Sequence, residues 1–253
     1  MSLKNRIKKN EITYGTWITI NNQLVPEILA SAGFDWLCID LEHSSIDLDD
    51  LMSLIISIER NNICPLVRVG ENNSNLIKRV MDLGSHGVIV PNVNNEQDAI
   101  KAVRSVKYPP YGNRGVGLFR AQKFGKEFKE YLHWVRKNSI VIVQIEHIDA
   151  VNNLEKIFSV KGVDAYFIGP YDLSSSMGIP GNFKDKRFKE TLNKIIETGK
   201  KFNIASGFHS VSSNPKEAIK YKKLGFKLIA LSVDSIFLGD IAGESLNKLK
   251  KNL

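Results

Sequence analysis

Apolar residues along the chain follow two alternating patterns. Short runs rich in Val, Ile and aromatic residues are separated by longer stretches whose apolar positions recur every three or four residues. The first pattern is that of strands buried on both faces, the second that of amphipathic helices. Residues 13–20 read as a first strand. A helix over 24–33 follows, with Pro26 in its first turn and Gly33 as its stop. A second strand spans 35–40. Asp47 then caps a helix whose apolar side carries Leu48, Leu51, Met52, Leu54, Ile55 and Ile58. Strands over 64–69 and 87–91 precede helices over 74–84 and 95–106. Residues 127–137 look helical and lead to a strand that stops at Glu146, with a helix over 148–158 behind it. Three more pairs follow: strand 165–169 with helix 185–203, strand 204–209 with helix 214–224, and strand 228–233 with a last helix.

Strands that alternate with helices imply right-handed crossovers and a parallel sheet. Eight such pairs predict an α/β fold closed into a (β/α)8 TIM barrel, as one domain over 1–253. The length of 253 residues is close to the ~250 usual for that barrel. Only 107–126 breaks the pattern. It holds Pro109, Pro110, Gly112, Gly115, Gly117 and Gly125 and shows no period, so it reads as a functional loop, a lid or a subunit contact.

In such a barrel, polar residues at strand C-termini converge on one pocket. Here they are Trp17, Asp40, Glu42, His43, Arg68, Gln144, Glu146, Asp172, His209 and Asp234. Glu146 and Asp172 end or follow neighbouring apolar strands. Either acid alone is more economically a cap or an ion-pair partner. Both at matching positions point to one shared divalent cation, with oxygen ligation favouring Mg²⁺ or Mn²⁺. A 2-oxo acid could chelate that cation, which would steady an enolate. Arg68 could bind a carboxylate or the enolate oxygen, or simply pair with Glu42 or another acid. His43, with Asp40 and Glu42 nearby, suits a general acid/base, whereas His209 is ambiguous and His86, His133 and His147 read as surface. No lysine stands in a strand or at its C-terminal end, which argues against a Schiff-base aldolase.

Composition changes this picture little. The chain is 43% hydrophobic and 25% charged, with a net charge of +8 carried by scattered lysines and not by a basic block. Nucleic acid is therefore not expected as a partner. No apolar stretch approaches the ~18 residues of a membrane span, and the N-terminus shows no signal pattern. Cys38 and Cys64 lie in strands without CxxC spacing and read as reduced thiols of a cytoplasmic protein.

Several pieces, in order, resemble the HpcH/HpaI aldolase family of metal-dependent class II pyruvate aldolases. They are Gly15-Thr16-Trp17, the run from Gly33 through Asp40 to His43, Val67-Arg68-Val69, and Gly87 to Pro91. Tyr108 to Gly115, Val143-Gln144-Ile145-Glu146 and Phe167 to Leu173 complete the set. The resemblance implies a barrel of the phosphoenolpyruvate/pyruvate type. It implies cleavage of a 4-hydroxy-2-oxo acid, of the 4-hydroxy-2-oxoheptanedioate or 2-dehydro-3-deoxyglucarate kind, to pyruvate and an aldehyde. It also implies that Glu146 and Asp172 hold Mg²⁺, Mn²⁺ or Co²⁺, that His43 is the acid/base with Asp40 as its partner, and that Arg68 holds the pyruvyl group. Gln144 and Trp17 would line the pocket, backbone around Gly169, Pro170 and Tyr171 would meet the substrate carboxylate, and the protein would be a homo-oligomer, a trimer or hexamer. Tyr171 and Ser44-Ser45 depart from residues common in relatives, which bears on the aldehyde side of the pocket. Two rivals remain open at this point: a citrate lyase β-subunit or malyl-CoA lyase type of enzyme acting on a CoA thioester, and a non-catalytic anion-binding barrel.

Overall fold

A computed structural model describes residues 1–251. Eight parallel strands close into a ring in chain order, β1 pairing with both β2 and β8. They are β1 (Thr13–Ile18), β2 (Trp36–Asp40), β3 (Cys64–Arg68), β4 (Gly87–Val90), β5 (Ile140–Ile145), β6 (Ala165–Ile168), β7 (Ala205–Ser210) and β8 (Leu228–Val233). The first helices are α1 (Leu3–Lys8), α2 (Leu24–Ser31), α3 (Leu48–Arg60), α4 (Ser74–Leu83) and α5 (Glu96–Val106). After them come α6 (Phe128–Asn138), α7 (Ile148–Asn152), α8 (Leu154–Ser159), α9 (Pro170–Ser176), α10 (Lys186–Lys201), α11 (Lys216–Lys223) and α12 (Asp234–Lys251). The architecture is the (β/α)8 barrel that the alternation predicts. Among the described residues no helix is long and apolar enough to cross a membrane.

The strands separate two apolar cores. Outward residues such as Ile39, Val67, Val88, Val143 and Ile168 pack against the helices. Inward residues such as Trp36, Cys38, Leu66, Ile89, Ile142 and Phe167 fill the lumen, so it is a packed core and not a channel. Close packing there requires glycine at two positions. A Cβ on Gly15 would lie 2.1 Å from the Trp36 ring, and one on Gly207 would lie 2.6 Å from the Phe167 ring.

Three features differ from the sequence reading. α1 is too short to show a period, yet Ser2 caps it and Leu3 and Ile7 plug the N-terminal mouth of the lumen. The helix expected over 148–158 divides at Asn153, whose amide donates to Asn94 O at 3.1 Å and Asp149 O at 3.0 Å. The segment after β6 winds into α9. The loop 107–126 is irregular apart from one turn at Arg120–Gln122. It packs against the C-terminal ends of α3 and α4, through pairs of Arg114 with Asp82 and of Arg120 with Glu59. That is the barrel's N-terminal end, so the loop is no lid over the pocket of its own chain.

Candidate active site

Inward-facing positions alternate along each strand, so the last inward residues of several strands converge at the C-terminal end. Lower in the lumen these positions are apolar; in this layer they are Trp17, Asp40, Arg68, Gln144 and His209. The carboxylates of Glu42, Glu146 and Asp172 lie just above.

Arg68 is the hub. Its Nε and Nη2 donate to Asp40 Oδ1 and Oδ2 at 2.8 and 2.6 Å, a two-pronged pair between adjacent strands. Its Nη1 lies 3.2 Å from Glu42 Oε2 but out of line for a hydrogen bond, and that buried oxygen has no hydrogen-bond donor. The guanidinium carbon sits 4.8 Å from the centroid of the Trp17 ring, a cation–π contact that also fixes the indole. Burial alone would raise the Asp40 carboxyl. The hydrogen bonds and charge of Arg68, with the amides of Glu42 and His43, bring it below its ordinary value.

The expected pairing of Asp40 with the His43 ring is not what the structure shows. Asp40 accepts from the His43 backbone N–H at 3.3 Å, while both of its oxygens are taken by Arg68. The imidazole is 67% exposed, with Nε2 4.0 Å from Glu42 Oε2. Glu42 is thus the acid nearest the His43 ring, where the family resemblance implied Asp40.

Glu146 is buried at the end of β5. Its Oε1 accepts from the Asn92 N–H at 2.7 Å and its Oε2 from Gln144 Nε2 at 2.7 Å. Asn92 holds a left-handed φ of 53°, which asparagine tolerates better than most residues and which was not foreseen from sequence. Burial pushes the Glu146 carboxyl up to about 7, against the Asn92 hydrogen bond and with help from the charges of Glu42 and Asp172. Glu42 is also raised, first by burial and then by Asp40 and Asp172, with Arg68 opposing. Asp172 stands in the first turn of α9, behind the N-cap Gly169 and Pro170. It has no side-chain hydrogen bond or ion pair among the described residues. The glycine is required there: a Cβ would lie 2.6 Å from Glu146 Oε2. Pro170 has no N–H, so the first-turn amides of Tyr171 and Asp172 remain without helical partners.

Four carboxylates (Asp40, Glu42, Glu146 and Asp172) therefore share this end of the barrel with the Arg68 guanidinium, and their mutual repulsion adds to burial in raising Glu42 and Glu146. Glu146 and Asp172 would hold a divalent cation that relieves this repulsion, and Gln144 Oε1, buried without a hydrogen-bond partner, is a further polar atom left unsatisfied there. Among the described residues no cluster of three or more His, Cys, Asp or Glu side chains could hold a metal. The cation would thus have two protein carboxylates and take its other ligands from water and substrate, the habit of Mg²⁺. Asp234 is not part of this group. It staples the exit of β1, accepting from Thr19 N at 2.9 Å, Thr19 Oγ1 at 2.6 Å and Ile20 N at 2.8 Å. Two clefts of about 620 and 690 Å³ lie elsewhere, at the N-terminal end, and share Glu59, His86 and Trp134. They are roomier than chemically pointed, since Glu59 is paired with both Arg120 and His86.

The chain as a whole matches a known family. The profile described as HpcH/HpaI aldolase/citrate lyase matches residues 13–239. The chain belongs to this family. A 2-keto-3-deoxy-L-rhamnonate aldolase of Escherichia coli K12 is 32% identical over 249 residues, covering 98% of this chain and 92% of the relative. A solved HpcH/HpaI aldolase/citrate lyase family protein of Burkholderia cenocepacia J2315 superposes with a TM-score of 0.93 at 32% identity, covering 98% of each chain. The HpcH/HpaI aldolase of Desulfitobacterium hafniense DCB-2 superposes with a TM-score of 0.90 at 25% identity, covering 99% of this chain and 97% of that one. As an HpcH/HpaI protein, the chain is a carbon–carbon lyase of the divalent-metal-dependent class, acting on small molecules.

Proposed function

We propose that this lyase reversibly cleaves a 4-hydroxy-2-oxo acid into pyruvate and an aldehyde. The observation that carries the reading is the excess of carboxylate at this end of the barrel, where Asp172 and Glu42 both act on the buried Glu146. These two residues would hold Mg²⁺ or Mn²⁺, with Co²⁺ as a third option. When bound, the cation supplies Lewis-acid polarisation of the substrate's 2-oxo carbonyl. Arg68 holds the 2-oxo oxygen through Nη1, the one nitrogen Asp40 leaves free, and stabilises negative charge as it develops there. The substrate carboxylate meets the backbone beside Gly169, Pro170 and Tyr171, at the unpartnered amides of α9. Gln144 keeps the Glu146 carboxylate in place, and Trp17 closes the pocket floor and stiffens Arg68. His43 takes the C4 hydroxyl proton, its exposed ring being free to swing toward the substrate, while Asp40 serves it indirectly by fixing Arg68 and the 42–43 backbone.

The homo-oligomer, trimer or hexamer, is supported by α12. Within it only Asp234 is buried, while Leu238, Ile241, Leu246 and Leu249 are exposed. Leu24 and Ile28 of α2, Ile219 of α11 and Leu224 at its C-cap are exposed on the barrel. Apolar surface of this extent belongs against another subunit. A cytoplasmic setting would keep Cys38 and Cys64 as thiols.

The deciding measurement is pyruvate release from a 4-hydroxy-2-oxo acid with and without a chelator. Release should stop in chelator and return with Mg²⁺ or Mn²⁺. Full activity in chelator would end the metal assignment, and turnover restricted to a malyl thioester would move the enzyme to the citrate-lyase type.

A further inference from the structure

The mechanism leaves one inward-facing group of the top layer unused, His209. Ala205, Gly207 and His209 alternate toward the lumen along β7, so the imidazole is the last of these and forms part of the pocket wall. It lies against Trp17, ring centroids 5.1 Å apart. Its Nε2 is 3.0 Å from the carbonyl oxygen of Ser232. Ser232 has a φ of 57°, unusual for serine, at the point where the β1–β8 register shifts from Gly15↔Ala230 to Trp17↔Val233. The same carbonyl also accepts from Thr16 Oγ1 at 3.1 Å, which holds it in place.

A carbonyl can only accept. Nε2 therefore carries the proton, and Nδ1 presents a bare lone pair. Nδ1 has no partner among the described residues. The charged groups facing the ring are Arg68 and Asp40, already bound to each other. Burial, with the Arg68 charge, lowers the imidazole to about 4, so the ring stays neutral and Nδ1 stays an acceptor at any ordinary pH. Water can satisfy it in the free enzyme, and a ligand O–H in the complex. Ionised pyruvate has none, and the C4 hydroxyl gives up its proton during cleavage. A hydroxyl beyond C4, on the aldehyde-derived half, meets the requirement.

We propose that His209 is a specificity-determining residue that accepts a hydrogen bond through Nδ1 from a hydroxyl beyond C4, so the enzyme prefers 2-oxo acids that yield α-hydroxy aldehydes. This rests on the aldolase reading above. The test runs the reaction in the synthetic direction, with pyruvate and either lactaldehyde or propanal, which differ by that one hydroxyl. The readout is the ratio of kcat/KM for the two aldehydes in wild type, His209→Leu and His209→Gln. Comparing ratios between proteins cancels the intrinsic reactivity of the aldehydes. The leucine variant should shift the ratio against lactaldehyde by about 10- to 100-fold, mainly through KM, because a site built to pair a hydroxyl discriminates strongly by it. The glutamine variant, whose Oε1 restores an acceptor, should recover part of the preference. Metal-dependent deuterium exchange at C3 of pyruvate needs no aldehyde and is measured in every variant as the reference. Its absence from wild type sinks the aldolase reading. Exchange present in wild type with a ratio unmoved by either variant overturns the role of His209 alone.

Discussion

The two ends of the barrel both bury charge, and they resolve it in opposite ways. At the N-terminal end, Lys4 and Lys107 converge on Ser139 beside Asp164. Lys4 donates to Ser139 O at 2.9 Å and pairs with Asp164; Lys107 donates to Val135 O at 3.0 Å, Ser139 O at 3.2 Å and Ser139 Oγ at 2.6 Å. Both ammonium groups of that cluster have protein partners, although Arg114 Nε and Gln122 Oε1 in the neighbouring loop have none. At the C-terminal end, Glu42 Oε2, Gln144 Oε1 and Trp17 Nε1 are buried without hydrogen bonds, and acids outnumber bases. A closed set of partners marks structure, and an open set with unbalanced charge marks a place for a ligand.

The sharpest break between the ends should come from Glu146→Gln, which keeps the shape and removes the charge. It should lower kcat/KM by about 10³-fold or more, since several kcal/mol of Lewis-acid stabilisation is lost with the cation. Calorimetry should show no Mn²⁺ binding, with little change in fold by circular dichroism. Arg68→Lys should cost about 10²-fold, because one ammonium cannot hold Asp40 in two places and still reach the substrate. Its melting temperature, measured alongside, separates that loss from simple unfolding of an Asp40 left unpaired.

A smaller effect follows from pH. Glu146 in the metal-free protein is protonated below about 7 and must release that proton to bind a cation. Metal affinity should therefore fall as pH drops through this region, by up to about tenfold per unit. The stability of the metal-free protein should move the other way. A carboxyl whose pKa is raised by folding binds its proton more tightly in the folded state. Its destabilising effect grows as pH rises from the unfolded value toward 7. Added Mn²⁺ should raise Tm more at pH 8 than at pH 6; an equal rise would show that Glu146 does not titrate with the metal.

The least effect on activity belongs to the other end. Lys107→Met should leave kcat/KM where it was and lower Tm, by leaving the Val135 and Ser139 carbonyls short of a donor. Burial, with Lys4 nearby, lowers Lys107 to about 8. Wild-type stability should accordingly rise from about pH 8 toward the unfolded lysine value, where the folded chain binds fewer protons. The methionine variant should lose that rise, and a large drop in its activity would erase the distinction between the two ends.

Much of this was readable one residue at a time. Buried strands announce themselves by apolar runs, and a carboxylate that ends such a run has few places to go but the barrel mouth. That logic placed Glu146, Asp172, Arg68 and Gln144. It could not tell Asp40 from Glu42 as the acid beside His43, because two neighbours in sequence point different ways in space. It counted Asp234 with the pocket, although three donors around Thr19 and Ile20 occupy its carboxylate. It had no means of finding Asn92, whose contribution is a backbone N–H, or α1, too short for a period. His209 stayed ambiguous because its tautomer depends on a carbonyl 23 residues away.

Period and residue type, both local properties, determined the number and order of strands, the closure of the barrel and the end at which the acids gather. Only the tertiary structure decided which acid faces which base, which polar atoms are left without partners, and which ring nitrogen of His209 meets the Ser232 carbonyl. Those are matters of hydrogen-bond direction and burial, and both exist only once distant segments are packed together.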